Sequence, residues 1–143
     1  MDLNSLYTEI ILEHSRNPQN KRPLPCATCH ERGHNPSCGD DITLELQLEE
    51  GRVVDAAFTG NGCAISQAST SMMIDLIKGK TTREASKLTE TFLAMIKQDL
   101  ENDVDLKQLG DAVALKGVAQ MPARVKCAVL AWHTLQEAIK TGA

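Results

Sequence analysis

Aromatic side chains are scarce in this chain of 143 residues, which has one Trp, one Tyr and two Phe. Single-stranded nucleic acid stacks its bases on aromatic rings, and 3% aromatic content offers no such platform. Basic charge is also in short supply: 15 Lys and Arg stand against 19 Asp and Glu, for a net charge of −4. Phosphate backbones and anionic lipid attract basic surfaces, so neither nucleic acid nor a membrane is an expected partner. No apolar run approaches the roughly 20 residues of a membrane-spanning helix. The opening stretch MDLNSLYTEIILEH has no basic n-region, no long apolar segment and no small-residue cleavage site, which predicts a mature cytoplasmic protein. The cysteine count, five, is odd. In a chain read as cytoplasmic, that favours thiolate chemistry or metal ligation over a disulfide framework. The rest of the composition is ordinary, with 42% hydrophobic and 24% charged residues. The length suits a single domain over residues 1–143, with a core large enough to fold without disulfides.

Apolar residues at Leu3, Leu6, Tyr7, Ile10, Ile11 and His14 follow helical spacing and predict a helix over 2–14, capped by Asp2. His14 closes that stripe and reads as a packing histidine. Residues 15–40 read as a long connection, punctuated by Pro18, Pro23, Pro25, Gly33, Pro36 and Gly39. Ile42, Leu44, Leu46 and Leu48 alternate with polar residues, as do Val54, Ala56 and Phe58 after a turn at Gly51, which predicts a hairpin. A helix with Ser66 as its cap is expected to run to Lys78 and end at Gly79. Thr81 and Glu84 form a capping-box pattern for another, with a stripe of Ala85, Leu88, Phe92, Met95, Ile96 and Leu100. Residues 101–110 read as an acidic connection and 111–116 as a short helix. Pro122 opens a last helix to Lys140. The resulting architecture is α+β: a small antiparallel sheet of about three strands, covered on one face by helices.

The cysteines carry the chemistry. Cys38 lies in Asn35-Pro36-Ser37-Cys38-Gly39-Asp40, where Gly39 lets the backbone bend so that a sulfur and a carboxylate oxygen can share one centre. Cys63 follows Gly60-Asn61-Gly62 and precedes a helix, where negative charge is favoured. Cys127 falls in the second turn of the last helix. Measured against a stripe of Val125, Ala128, Val129, Trp132, Leu135 and Ile139, it points roughly 130° from the centre at ~100° per residue. Arg124 lies on its side of the helix. Cys38, Asp40, Cys63 and Cys127 together make an S₃O set suited to Zn²⁺, and thiolates also hold iron–sulfur clusters. Each residue alone also fits a plainer role, as a packing cysteine or a turn aspartate. Cys26-Ala27-Thr28-Cys29-His30 has the string of a haem-attachment motif, which the lack of an export signal opposes. A second small metal or redox site using Cys26 and Cys29, with His30 or His34, is the other reading, beside loop cysteines with no role.

Three motifs in order, Asn35–Asp40, Gly60–Ser66 and Met121-Pro122-Ala123-Arg124-Val125-Lys126-Cys127, resemble the U-type iron–sulfur cluster assembly proteins (IscU, SufU and the N-terminal part of NifU). Leu6-Tyr7 to His14 and Asn17-Pro18 extend the likeness over nearly the whole chain. Lys126 replaces the histidine that precedes the last cysteine in IscU-type scaffolds, their Leu-Pro-Pro-Val-Lys stretch is not intact, and the segment between Cys63 and Cys127 is longer. These features are similar to the SufU-type branch. The resemblance implies a SufE/NifU-like fold and Zn²⁺ on Cys38, Asp40, Cys63 and Cys127, with Arg124 beside the ligands. The implied partner is a pyridoxal-phosphate cysteine desulfurase of the SufS type. Cys38, released from zinc by ligand exchange, would take persulfide sulfur from it and pass it to a downstream scaffold or apo-protein. The family's other activity is assembly of a transient [2Fe–2S] cluster on Cys38, Cys63 and Cys127.

Overall fold

The computed structural model describes residues 3–16, 19–36, 39–98 and 105–142. Expectations for Asp2, Asn17, Pro18, Ser37, Cys38, Leu100 and residues 101–104 lie outside the described residues, as do those for the Leu3 and Leu6 side chains. Helix α1 (Leu3–Ser15) leads to strands β1 (Cys29–Asn35), β2 (Asp40–Glu49) and β3 (Arg52–Asn61). Helices α2 (Ala64–Ile77) and α3 (Thr82–Ile96), a 3₁₀-helical stretch (Asp105–Gln120) and helix α4 (Pro122–Gly142) complete the chain. The strands form one antiparallel sheet in the order β1-β2-β3.

The expected α+β architecture is present, and its core lies between one sheet face and the helices. Ile42, Leu44 and Leu46 of β2 and Val53, Ala56 and Phe58 of β3 are buried there. Trp132 of α4 stacks on Phe92 of α3, with ring centroids 4.2 Å apart and planes 9° from parallel. Its indole N–H donates to Ser69 Oγ at 3.0 Å, and that hydroxyl donates to the Ala128 carbonyl at 2.6 Å. The indole thus enters the interior with its polar group satisfied. The predicted capping box is formed: Thr81 and Glu84 exchange bonds of 3.1 Å each at the start of α3. His14 is the packing histidine expected, bonded to Ser71 Oγ at 3.1 Å and Asp111 Oδ2 at 3.0 Å.

Four expectations are corrected. The connection over 15–40 contains a strand, β1, whose sequence Cys-His-Glu-Arg-Gly-His-Asn has no apolar alternation. Gly33 sits in its middle because α4 passes over it: a Cβ there would lie 2.1 Å from Thr134 Oγ1. In β3 the register slips opposite Gln47 and Leu48, so that Leu48 pairs with Val53 and Gln47 with Asp55. This β-bulge turns Val53 inward and leaves Val54 outside the core, 44% exposed. Helix α2 is capped by Cys63, three residues before Ser66. Finally, residues 105–120 are a 3₁₀-helical stretch, bent at Gly110 (φ 52°); it contains the short helix expected over 111–116 but extends into the 101–110 segment read as a connection.

The sheet's outer face is not bare. The Leu24 N–H donates to Glu45 Oε2 at 3.4 Å, so the segment before β1 lies against this face. Asp55, on β3, meets Arg22 at 3.2 Å and Lys78 at 3.6 Å. Burial raises the pKa of its carboxyl, but the Ala56 N–H, Arg22 and Lys78 outweigh it and hold the value below the ordinary one. A carboxyl whose pKa is lower folded than unfolded stabilises the fold above its unfolded value, and this contribution disappears as pH falls through the folded value. Asp55→Asn is therefore expected to cost up to about 1 kcal/mol at pH 7. Urea denaturation of both proteins should show the gap closing as pH falls below the ordinary carboxylate range.

Candidate metal centre

The candidate centre forms where β2 begins, β3 ends and two helices start. Alternation along β2 buries Asp40, Ile42, Leu44 and Leu46 in phase. Asp40 thereby faces inward with the apolar residues and is fully buried. Gly39 precedes it with φ 71°, in the left-handed region that glycine occupies without strain. Across the sheet Asp41 pairs with Asn61, so the end of β3 delivers Gly62 and Cys63 beside Asp40.

Cys63 does two things there. Its N–H donates to Asp40 Oδ1 at 3.0 Å, and its sulfur accepts the Ser66 N–H at 3.4 Å as the N-cap of α2. Gly62 makes the approach possible, since a Cβ at this position would stand 2.6 Å from Asp40 Oδ1 and 3.1 Å from Ser66 Oγ. Cys127 comes from the opposite direction, six positions into the described α4, and is fully buried. Ligand atoms of Asp40, Cys63 and Cys127 all lie within 4.8 Å of one another, the one such cluster among the described residues. Cys38, the fourth predicted ligand, lies outside the described residues.

The position of Cys127 corrects its expected displacement from the apolar stripe. The buried face of α4 comprises Cys127, Ala128, Ala131, Trp132, Thr134, Leu135 and Ala138. Val125, Val129 and Ile139 are only partly buried. Small alanines, not the larger branched residues, mark the side that packs closely, and Cys127 is on that side. The centre is largely enclosed, with Asp40 and Cys127 inside and Cys63 half-buried. Arg124 stands as expected. Its guanidinium bonds to the Cys127 sulfur, and this bond, with the charges of Cys63 and Cys127, raises its pKa above the ordinary value.

Cys26 and Cys29 do not share this arrangement. Cys26 is exposed, whereas Cys29 is buried and donates its thiol to the Ala138 carbonyl at 3.3 Å. Burial first, and then the charge of Glu31, pushes that thiol's pKa up. Cys29 thus secures β1 to α4, a role opposite to that of a reactive thiolate.

The donor set fits a thiophilic divalent ion. Zinc takes sulfur at about 2.3 Å and carboxylate oxygen at about 2.0–2.2 Å, so tetrahedral ligands stand about 3.6–3.8 Å from each other. Ligand atoms that already lie within 4.8 Å of one another need to close by no more than about 1 Å to reach that geometry. Two thiolates and a carboxylate carry three negative charges, and Arg124 supplies a compensating positive one. Two buried polar atoms lack a partner among the described residues, Ser66 Oγ and Gln67 Oε1. Sequence reasoning missed Ser66 as part of this centre because it read that residue as the helix cap. An apolar groove of about 690 Å³ opens alongside, lined in part by Tyr7, Ile11, Ile65, Val118 and Met121.

An α+β domain that gathers two cysteines and an aspartate at one end of a three-stranded sheet offers a sulfur-rich site that could hold a metal ion. The chain belongs to the NifU-like N-terminal domain family, matching it over residues 6–141. It is 44% identical to the iron–sulfur cluster assembly scaffold protein IscU of Streptococcus pyogenes serotype M1, over 99% of this chain and 87% of that one. It is 40% identical to the zinc-dependent sulfurtransferase SufU of Bacillus subtilis, over 96% of this chain and 92% of that one. Among solved structures, a putative iron–sulfur cluster assembly scaffold protein for the SUF system from Fervidobacterium islandicum superposes with a TM-score of 0.87. That pair is 36% identical and covers 96% of this chain and 99% of the other.

The contact at Gly62 can be tested without metal. Gly62→Ala is expected to destabilise the metal-free protein by about 1–3 kcal/mol, the range for overpacking an interior site. In an Asp40→Ala background, where the colliding carboxylate is gone, the same change should cost less than half as much. Equal losses in both backgrounds, read by urea denaturation, would refute the contact.

Proposed function

We propose that this protein is an iron–sulfur cluster assembly factor acting as a zinc-dependent sulfurtransferase, with residues 1–143 working as one cytoplasmic domain. The observation that carries the reading is the convergence of Asp40, Cys63 and Cys127 at one centre beside Arg124. In this reading Asp40, Cys63, Cys127 and Cys38 hold the ion. A bound Zn²⁺ keeps the cysteine sulfurs deprotonated and shielded.

Cys38 is the nucleophile, two residues before Asp40 in the chain. The donor is a cysteine desulfurase, of the SufS type in this reading, carrying a persulfide on its own cysteine. The Cys38 thiolate attacks the outer sulfur. A new sulfur–sulfur bond forms on Cys38 as the donor's bond breaks, and the donor cysteine leaves as a thiolate. No net oxidation occurs, because one disulfide-level bond replaces another. Arg124 balances the negative charge that Cys63 and Cys127 bring together. The Cys63 N–H holds Asp40 in place through its 3.0 Å bond. The sulfur then passes to a downstream scaffold or apo-protein.

The 44% identity to a protein named as a scaffold supports a second reading, in which a transient [2Fe–2S] cluster is built on Cys38, Cys63 and Cys127. Lys126, exposed directly before Cys127, favours the first, because an IscU-type scaffold carries histidine there.

Anaerobic purification followed by metal analysis and titration into a cysteine desulfurase with cysteine separates the two. The expected result is one zinc per chain, no labile sulfide, and a turnover increase that Cys38→Ser abolishes. Asp40→Ala should make the zinc labile and reduce the stimulation at least about ten-fold. Iron and sulfide in equal amounts, transferable to an apo-protein, would replace this reading with the scaffold.

A further inference from the structure

The buried hydroxyl of Ser66 is left over by the hydrogen bonding among the described residues. Its residue is 1% exposed, and its Oγ has no hydrogen-bond partner among the described residues. Buried hydroxyls in helices commonly donate back to the carbonyl four residues earlier, as Thr70, Thr89 and Thr134 do here at 2.7–2.9 Å. Ser66 is the third residue of α2, so four residues back the chain is not yet helical. An unpartnered buried hydroxyl is unfavourable, which makes its surroundings informative.

Those surroundings are the metal centre. The position a Gly62 Cβ would take lies 3.1 Å from Ser66 Oγ and 2.6 Å from Asp40 Oδ1, so hydroxyl and carboxylate flank the same glycine. Asp40 Oδ1 already accepts the Cys63 N–H, and a carboxylate oxygen has capacity for a second donor. The Ser66 N–H meanwhile donates to the Cys63 sulfur. One residue is therefore bonded to one candidate ligand through its backbone and stands beside another with a spare donor.

We infer that Ser66 is a positioning residue for the metal: its hydroxyl donates to Asp40 Oδ1 in the metal-loaded protein, leaving the other carboxylate oxygen for the ion. The inference rests on the metal-binding reading above. Hydrogen bonds to ligating carboxylates orient them, and losing such a partner lowers metal affinity about 10–100-fold. A hydroxyl that serves only the loaded state makes a distinctive prediction, because its removal should not weaken the metal-free fold.

The test compares Ser66→Ala, Ser66→Thr and wild type, with and without Asp40→Ala. Zinc affinity is measured by chelator competition and metal-free stability by thermal melting. Ser66→Ala should bind zinc at least about ten-fold more weakly, with a metal-free melting temperature equal to wild type or higher. Ser66→Thr, which keeps the hydroxyl, should recover most of the affinity. In the Asp40→Ala background Ser66→Ala should have no further effect. Undiminished affinity in Ser66→Ala would overturn the inference alone. So would a lower metal-free melting temperature with unchanged affinity, or an equal loss in the Asp40→Ala background. A wild-type protein that binds no zinc would overturn the metal reading and this inference with it.

Discussion

A carboxylate in the interior of a small domain is unfavourable unless hydrogen bonds or charges meet it. The two-residue period of β2 puts Asp40 there, in phase with Ile42, Leu44 and Leu46. The surrounding elements answer that constraint. The end of β3 must lie beside Asp40 so that the Cys63 N–H can reach it. Residue 62 must lack a side chain, because any Cβ would enter the carboxylate's space. The start of α4 must approach from the other side, bringing Cys127 into the interior and Arg124 to the edge. Arg124 is exposed, so its charge is screened by water, yet its guanidinium bonds directly to the Cys127 sulfur.

Much of this fold could be read from the chain, for reasons that differ by element. Helices α1, α3 and α4 announced themselves because long amphipathic stretches repeat a pattern several times, and Thr81 with Glu84 marked a boundary. Strand β2 was legible for the same reason, with four apolar residues in strict alternation. Strand β1 was not. Its seven residues include two histidines, an arginine and a glycine, and it owes its place to pairing with β2 and to α4 packing over Gly33. No local pattern encodes a strand that is held by its neighbours. The bulge in β3 escaped for a related reason: a single extra residue reverses the phase of what precedes it, and adjacent Val53 and Val54 fit either phase.

The centre was legible as a set of residues but not as a geometry. Asp40, Cys63 and Cys127 are separated by 23 and 64 positions, and no spacing rule brings such ligands together. The stripe of Val125, Ala128, Val129, Trp132, Leu135 and Ile139 turned Cys127 outward because it counted the partly buried Val125, Val129 and Ile139 as inner residues beside the buried Ala128, Trp132 and Leu135. Close helix–sheet packing selects small residues, so the inner face runs through Ala128, Ala131 and Ala138. A cysteine among alanines is a better sign of a tight interior contact than a cysteine among valines. Ser66 was misassigned because serine is a favoured cap, and nothing in the sequence reveals that Cys63 takes that position first.

The same dispersion of ligands has a mechanical consequence. A knuckle of closely spaced cysteines grips its ion within one loop and keeps its grip when the rest of a domain moves. Here Asp40 belongs to a strand, Cys63 to the start of α2 and Cys127 to α4, so the distances among them are set by how two helices pack on the sheet. Metal affinity and tertiary packing are then one quantity seen from two sides. The apolar groove shares these walls: Ile65 lies two residues beyond Cys63, and Met121 directly precedes α4. The groove's lining therefore lies within a single helical turn of Cys63 at α2 and within two turns of Cys127 at α4. Such proximity suits the proposed sulfur transfer, in which the centre holds its sulfurs shielded in the free protein and yields one of them to a partner.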